Sequence, residues 1–167
     1  GSIGGLVSVP HLLPYCTSKF ALVGYSQGLH HELAKDGIIV TTICPGLMRT
    51  GSPRNAIFKG DHRSEYAWFK ISGSLPVVSM NAERAAREII AACREGLPMA
   101  VLGAPASIAA KLAGLWPNVM AHLLATANSL LPRWEQGPTS RRFRGSESET
   151  AITKGWWTSL TDKAAER

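Results

Sequence analysis

The chain has 167 residues, of which 45% are hydrophobic and 18% are charged. This composition is typical of one globular domain with its own core and argues against a disordered chain. The formal net charge is +6, but basic residues concentrate only over residues 133–144, among Gly, Pro and Ser. No basic patch is interleaved with aromatic residues, so we predict no nucleic-acid binding and interpret residues 133–144 as a solvated tail rather than a nucleic-acid or lipid contact.

The three cysteines, Cys16, Cys44 and Cys93, lie far apart in apolar or helical surroundings. Their spacing gives neither a disulfide framework nor a zinc site, and free cysteines in such surroundings behave as small hydrophobic residues. The adjacent His30 and His31 would point in different directions on a helix, so we predict no metal site. This cysteine content suits a reducing compartment, and the cytoplasm is the expected location.

The first third of the chain predicts a loop, a helix and a strand. Residues 1–12 are rich in Gly, Ser and Pro, as loops are. Residues 14–35 show helical spacing of apolar residues and end before the stop signal Asp36-Gly37. The apolar residues of this helix are Phe20, Leu22, Val23, Leu29 and Leu33. The β-branched run of residues 38–44 then predicts a strand buried on both faces, as in a parallel sheet.

The next elements continue this alternation. Residues 47–80 lack sustained periodicity, and a segment of that length inside a compact domain is usually a functional lid or a short helical flap. Residues 82–94 predict a helix with Asn81 as its N-cap, and residues 99–102 a second short apolar strand. The residues of this helix expected to face the core are Ala85, Ile89, Ala92 and Cys93. The alternation of helices and strands predicts an α/β fold.

The segment of residues 105–132 is apolar, with only Lys111 and His122 as ionisable residues. Pro117 is predicted to divide it into two helices. Two interpretations stay open: the helices cap a core or pocket, or they present an apolar surface to a membrane or a partner. The length of the segment and its internal proline argue against a membrane span.

A possible catalytic pair stands at the start of the first predicted helix. Tyr15 and Lys19 are four residues apart, a spacing that places both side chains on one helix face. A cation beside a phenol favours the phenolate, and such a phenol can exchange a proton with a carbonyl or alcohol oxygen. Chance also produces Tyr-x-x-x-Lys in many chains, so this spacing is weak evidence by itself.

Two further motifs flank this pair. Ser2 lies upstream in Gly-Ser-Ile-Gly-Gly, and Pro-Gly-Leu-Met-Arg-Thr begins at Pro45, directly after the predicted strand. Together with Tyr-x-x-Ser-Lys, these motifs resemble those of the short-chain dehydrogenase/reductase family. The resemblance is close over residues 1–50 and loose over residues 81–102. It implies the C-terminal part of a doubly wound Rossmann-type parallel sheet, followed here by a helical C-terminal extension.

The resemblance also implies roles for the residues. Tyr15 would be the general acid/base, Lys19 would favour its phenolate and bind the nicotinamide ribose hydroxyls, and Ser2 would hold the substrate oxygen. The residues expected to line the nicotinamide end of NAD or NADP are Pro45, Gly46, Met48 and Thr50, together with Tyr15 and Lys19. For Ser2 an ordinary loop serine stays an alternative, and for Thr50 a turn or cap residue. The implied activity is hydride transfer between a small-molecule carbonyl or alcohol and the cofactor.

The sequence departs from the family in one large respect. It contains no glycine-rich turn after a first strand, which in the family binds the dinucleotide, and no helix with the family's catalytic asparagine. We therefore expect the chain to be the C-terminal half of a longer enzyme, inactive alone and a homo-oligomer at full length. The alternative is a truncated, non-catalytic homologue that acts as a packing or association module.

The expected domain organisation has three parts. Residues 1–104 would form the Rossmann-like half-domain, with residues 47–80 as the substrate lid. Residues 105–132 would form the apolar helical extension, with peripheral membrane contact as one possible role. Residues 133–167 would form a basic, loose tail, in which Trp156-Trp157 and Leu160 are candidates for pinning the end back onto the domain.

Overall fold

The computed structural model describes residues 1–75, 78–131, 141–155, 158 and 162–164. The α-helices of these residues are α1 (Leu13–Leu33), α2 (Ser52–Asn55), α3 (His62–Ser74), α4 (Ala82–Arg94), α5 (Ala104–Leu115) and α6 (Pro117–Ser129). The strands are β1 (Thr42–Pro45), β2 (Leu47–Arg49), β3 (Ile57–Phe58), β4 (Ser79–Asn81), β5 (Met99–Leu102) and β6 (Phe143–Arg144). Short 3-10 helices occur among them, including one over Ile3–Gly5.

The chain divides into two compact units. The first unit comprises Gly1–Gly46 and Glu83–Asn128, and the second comprises Leu47–Ala82 and Ser129–Arg167. The predicted division at residues 104 and 132 differs from this one. The difference arises because β1 pairs with β5 across an intervening segment that folds within a unit of its own.

The first unit is built on a parallel pair of strands. β1 pairs with β5, and the register runs from Thr42 opposite Met99 to Pro45 opposite Leu102. α1 packs against β1, and α5 against β5. A parallel pair flanked by helices confirms the predicted α/β class and the Rossmann-type sheet.

The first strand is shorter than the sequence predicts. β1 begins at Thr42, whose N–H donates to the carbonyl of Pro98, and not at residue 38. Ile38 and Ile39 are exposed. Their β-branched side chains favour an extended backbone, but pairing with β5 decides where the strand begins.

The helix α1 buries a narrower strip than its apolar spacing predicts. Cys16 and Val23 are buried, whereas Phe20 and Leu22, two of the apolar residues at helical spacing, are exposed. The reason is that α1 packs against a short loop and a short strand, which cover little of its surface. Its bounds agree with the prediction within two residues.

The later helices also follow the sequence closely. α4 has the predicted bounds and buries Ala85 and Ala92, but Cys93 is exposed, contrary to the prediction. Pro117 divides the apolar segment into α5 and α6, as predicted. Among the described residues, no helix combines the length and the apolar character needed to cross a bilayer.

The second unit contains more regular structure than its sequence indicates. β2 and β4 pair in parallel, with Met48 opposite Met80. β3 and β6 pair antiparallel, with Ile57 opposite Arg144. Residues 47–80 therefore hold short elements, among them α3, rather than one continuous loop.

Part of the predicted loose tail is packed in the second unit. The ammonium of Lys70, 1% exposed on α3, donates to the carbonyl of Thr153 at 2.8 Å and lies 2.7 Å from Oδ1 of Asp162. The hydroxyl of Thr158 donates to the same Thr153 carbonyl at 2.8 Å. These residues, with Tyr66 below the ammonium, are called the Lys70 cluster. The expectation of a loose tail is wrong for this part, because the buried ammonium of Lys70 on α3 binds it. Trp156, Trp157 and Leu160 lie outside the described residues.

Candidate active site

The helix α1 presents Tyr15 and Lys19 side by side. Pro14 stands in its first turn, where a proline needs no N–H partner. Nζ of Lys19 lies 5.4 Å from the centroid of the Tyr15 ring, within the range of a cation–π contact. The predicted placement on one helix face is therefore what the structure has.

The polar atoms of this pair are accessible. Tyr15 is 43% exposed and Lys19 is half-buried. Within the described residues, neither the Tyr15 hydroxyl nor Nζ of Lys19 has a hydrogen-bond partner, whereas the neighbouring Ser18 hydroxyl donates to the Tyr15 carbonyl at 2.7 Å. The phenol and the ammonium can thus both bind a ligand oxygen without breaking a bond inside the fold.

Ser2 is buried at the start of the 3-10 helix Ile3–Gly5. Its Oγ accepts the N–H of Gly4 at 3.2 Å, and its carbonyl accepts the N–H of Gly5 at 2.9 Å. A hydroxyl that accepts one bond keeps its own hydrogen for donation. The cap thus orients Ser2 while leaving a donor for a ligand.

Two glycines bring the Ser2 loop onto α1. A Cβ on Gly4 would lie 2.9 Å from Cε1 of Tyr15, and a Cβ on Gly5 would lie 2.6 Å from the carbonyl oxygen of Lys19. Only residues without side chains allow so close an approach. The sequence predicts only that these glycines lie in a loop, and two adjacent glycines are the signal in it that indicates a close contact.

Cys16 fixes the second half of the same loop. Its buried Sγ accepts the N–H of Val9 at 3.3 Å and lies 3.9 Å from the carbonyl of Val7. The residue is therefore both a small hydrophobic side chain, as predicted, and a hydrogen-bonding one. Below the loop, burial raises the pKa of the Cys44 thiol, so it remains protonated at neutral pH.

Gly46, at the end of β1, is held by the fold itself. Its N–H donates to the carbonyl of Leu102 at 3.0 Å. A Cβ here would lie 2.9 Å from Cβ of Ala106 on α5, so a glycine is needed for packing. The Gly46 amide is therefore already paired within the fold.

Met48 and Thr50 belong to the second unit. Met48 lies in β2, opposite Met80. The Thr50 hydroxyl donates to Oγ of Ser52 at 2.8 Å and accepts the Ser52 N–H at 3.3 Å. These contacts are those of a turn residue before α2, the alternative that the sequence left open.

Comparison with known proteins identifies the part of the chain that carries this site. A family model described as short chain dehydrogenase matches residues 1–57. Residues 1–57 are therefore similar in sequence to short-chain dehydrogenases. The predicted resemblance is confirmed for the stretch that holds Ser2, Tyr15, Lys19 and the Pro45-Gly46 turn.

Curated dehydrogenases and reductases share this segment. The chain is 44% identical over 57 residues to 17-beta-hydroxysteroid dehydrogenase 13 from Homo sapiens, which covers 32% of this chain and 19% of the relative. It is 47% identical over 57 residues to dehydrogenase/reductase SDR family member 7 from Homo sapiens, covering 34% and 17%. For a putative ketoacyl reductase from Streptomyces coelicolor the identity is 45% over 49 residues, covering 29% and 19%. The alignments thus span about a fifth of the length of these relatives, and no solved structure matches the chain significantly.

Proposed function

We propose that the chain carries the proton-transfer site of an oxidoreductase that interconverts a small-molecule carbonyl and alcohol with NAD or NADP. The observation that carries the proposal is the contact of Tyr15, Lys19 and the Ser2 loop. Nζ of Lys19 lies 5.4 Å from the Tyr15 ring, and the same ring lies against Gly4 of the loop that holds Ser2. The shared segment with curated dehydrogenases supports this chemistry.

The residues present fit a nicotinamide cofactor at this position. The Lys19 ammonium has donors to offer to ribose hydroxyls, and the Tyr15 hydroxyl can both donate and accept. When bound, the nicotinamide ring supplies or accepts the hydride. The role of the chain is to hold the substrate oxygen and to move its proton.

Tyr15 transfers that proton in either direction. In reduction its hydroxyl donates to the substrate oxygen, which becomes an alcohol; in oxidation the phenolate accepts the alcohol proton. The Lys19 ammonium, 5.4 Å from the centroid of the Tyr15 ring, places a positive charge beside the site of proton transfer. Positioned acid–base groups of this kind contribute about 10²- to 10⁴-fold to a rate.

Ser2 orients and polarises the substrate oxygen. The Gly4 N–H fixes its Oγ, so the hydroxyl can donate to an oxygen on which negative charge develops. A preoriented donor loses little conformational freedom when the transition state forms. Ser2 is therefore proposed as the oxygen-binding residue.

Four residues are proposed to line the nicotinamide end of the cofactor: Pro45, Gly46, Met48 and Thr50. Pro45 ends β1, and Met48 lies in β2, which pairs with β4. The Gly46 N–H and the Thr50 hydroxyl would first exchange their partners in Leu102 and Ser52.

A reducing compartment such as the cytoplasm is proposed as the location. Cys16 and Cys44 are buried free thiols, and Cys93 is an exposed one. An exposed thiol persists where reductants keep it reduced.

An exchange of segments tests the proposed function. Residues 1–57 replace the matching stretch of a full-length curated relative, and turnover is measured with that relative's own substrate and cofactor. We expect an active chimera, in which Lys19→Met lowers turnover and raises the KM for the cofactor. Lys35→Met is the matched control, since Lys35 is exposed in the turn after α1.

The outcome that would contradict the proposal is a folded chimera that binds cofactor and lacks turnover.

The 167-residue chain itself is titrated with NADH and NADPH by fluorescence. We expect no saturable binding in the micromolar range, because the sequence holds no glycine-rich turn for the dinucleotide phosphates. Micromolar affinity would show that other residues bind those phosphates.

A further inference from the structure

The helices α5 and α6 expose a row of large apolar side chains. Each member of the row is at least half exposed: Ile108, Leu115, Trp116, Val119 and Leu123. Ile108 and Leu115 are seven residues apart on α5, and Val119 and Leu123 four apart on α6, so each pair shares a helix face. Leu115 and Trp116 join the two pairs at the junction of the helices. We call this row the α5–α6 apolar face.

The composition of α6 is unlike that of a helix that faces water. Its 13 residues include no Asp, Glu, Lys or Arg, and Met120 is its one buried residue. A helix of that length gains little from propensity alone and depends on packing of its apolar face. We therefore expect the exposed apolar face of α6 to pack against another apolar surface.

The charge around the face selects the nature of that contact. No acidic residue occurs between Glu95 and Glu135, whereas Lys111 lies on α5 between Ile108 and Leu115. A lysine among apolar residues can lie along an apolar phase with its ammonium at the polar boundary. An isologous pairing of two such faces would bring in two copies of Lys111 without a carboxylate from residues 96–134 to pair with them.

The position of Trp116 and the length of α6 agree with a lipid surface. Tryptophan favours the boundary between headgroups and acyl chains. Thirteen residues of helix span about 20 Å, less than the ~30 Å hydrocarbon core, so α6 would lie along the surface rather than cross it.

We propose that the α5–α6 apolar face docks the protein on the surface of a bilayer that contains anionic lipids. Ile108, Leu115, Trp116, Val119 and Leu123 enter the boundary of the acyl chains, and Lys111 contacts the anionic headgroups. This surface is independent of the proposed proton-transfer site, and its test does not depend on turnover.

The test is co-sedimentation of the full 167-residue chain with two kinds of vesicle. One is phosphatidylcholine alone, and the other is phosphatidylcholine with a quarter phosphatidylserine. We expect stronger binding to the anionic vesicles. The double variant Trp116→Gln, Leu123→Gln should lower that binding by roughly tenfold or more, from the loss of two apolar side chains at the surface.

Matched variants separate this face from general stickiness. Ile90→Gln, on α4, changes a side chain that is 51% exposed, against 53% for Leu123, and should leave binding unchanged. Lys111→Gln should lower binding to the anionic vesicles by about fivefold, while the exposed Lys35→Gln has less effect. Circular dichroism of each variant verifies the helical content, and the exposed Lys111 provides a variant that does not disturb packing.

Three results would overturn the proposal. They are equal binding to both vesicles, an equal loss with Ile90→Gln, and an absence of vesicle binding together with a homodimer that Leu123→Gln dissociates. The last result would assign the face to a second copy of the chain.

Discussion

The Ser2 loop on α1 and the Lys70 cluster are held together by opposite means. In the first, Gly4 and Gly5 let the backbone of the loop touch α1, and uncharged contacts hold it there. In the second, a buried ammonium binds a distant part of the chain through Asp162 and the carbonyl of Thr153. Close backbone packing leaves the polar atoms of the Tyr15–Lys19 pair available to a ligand, whereas the ammonium of Lys70 is fully used inside the protein.

The difference shows how two lysines of one chain can serve different ends. Lys19 is half-buried and has no hydrogen-bond partner within the described residues. Lys70 is 1% exposed and has two oxygen partners within 2.8 Å. A buried charge without partners is costly, so the two oxygen partners of Lys70 fit a structural role, whereas Lys19 is proposed to bind a ligand.

The largest stability effect is expected from the Lys70 cluster, and it should be asymmetric. Asp162→Ala leaves a buried ammonium without its counter-charge and should lower the free energy of unfolding by about 3–5 kcal/mol. Lys70→Met leaves Asp162, which is 34% exposed and can be solvated, and should cost about 1–3 kcal/mol. Urea unfolding of both variants measures the difference.

The exposed Lys59→Met is the control for the loss of one lysine charge and should be nearly neutral. Equal losses for Asp162→Ala and Lys70→Met, or a neutral Asp162→Ala, would contradict a buried ion pair that binds the C-terminal residues.

A smaller loss is expected where the Ser2 loop touches α1. Gly5→Ala places a methyl group 2.6 Å from the Lys19 carbonyl oxygen, a backbone atom that cannot move freely, and should cost about 1–3 kcal/mol. Gly24→Ala, on α1, is the matched control, because the added methyl group would meet nothing within 4 Å. It should stabilise by about 0.5–1 kcal/mol. If Gly5→Ala and Gly24→Ala changed the free energy of unfolding in the same direction, the close contact of Gly5 with α1 would be contradicted.

The smallest effect is a pH dependence at His62 in the second unit. Burial lowers its pKa, while its Nδ1 lies 2.9 Å from Oγ of Ser148 and its ring stacks on Phe143. When folding lowers the pKa of a histidine, the neutral ring contributes its full stabilisation above the unfolded-state pKa of about 6.5. This contribution to the free energy of unfolding is lost as the pH falls from the unfolded-state pKa toward the folded-state pKa. Urea unfolding from pH 8 to 5 should therefore show a decline that His62→Gln reduces.

The exposed His31→Gln should keep the decline of the parent protein. The neighbouring charges of Asp61, Arg63 and Glu147 act on His62 in both directions, but burial is the larger influence. A stability that rises on acidification would contradict the assigned sign.

Local signals made α1, α4 and β5 predictable. Pro14 and Asp36-Gly37 mark the ends of α1, and residues 99–102 form the predicted strand without change. The Tyr15–Lys19 contact was predictable for the same reason, since a four-residue spacing fixes it on any helix.

Long-range contacts account for what the sequence did not predict. Ile57 pairs with Arg144, and Lys70 binds Thr153, so the structure of residues 47–80 depends on residues far along the chain. The need for glycine at Gly4 and Gly5 likewise arises only because the Ser2 loop contacts α1. No local periodicity contains this information.

Turnover by the segment-exchange chimera with Tyr15→Phe tests the central claim most directly. The variant keeps the ring against Gly4 and removes only the hydroxyl, so we expect turnover to fall by about 10²- to 10⁴-fold with nearly unchanged cofactor affinity. Tyr25→Phe, on an exposed tyrosine of the same helix, is the matched control and should leave turnover nearly unchanged. Retained turnover with Tyr15→Phe, in a chimera that still binds cofactor, would contradict the assignment of Tyr15 as the proton-transfer residue.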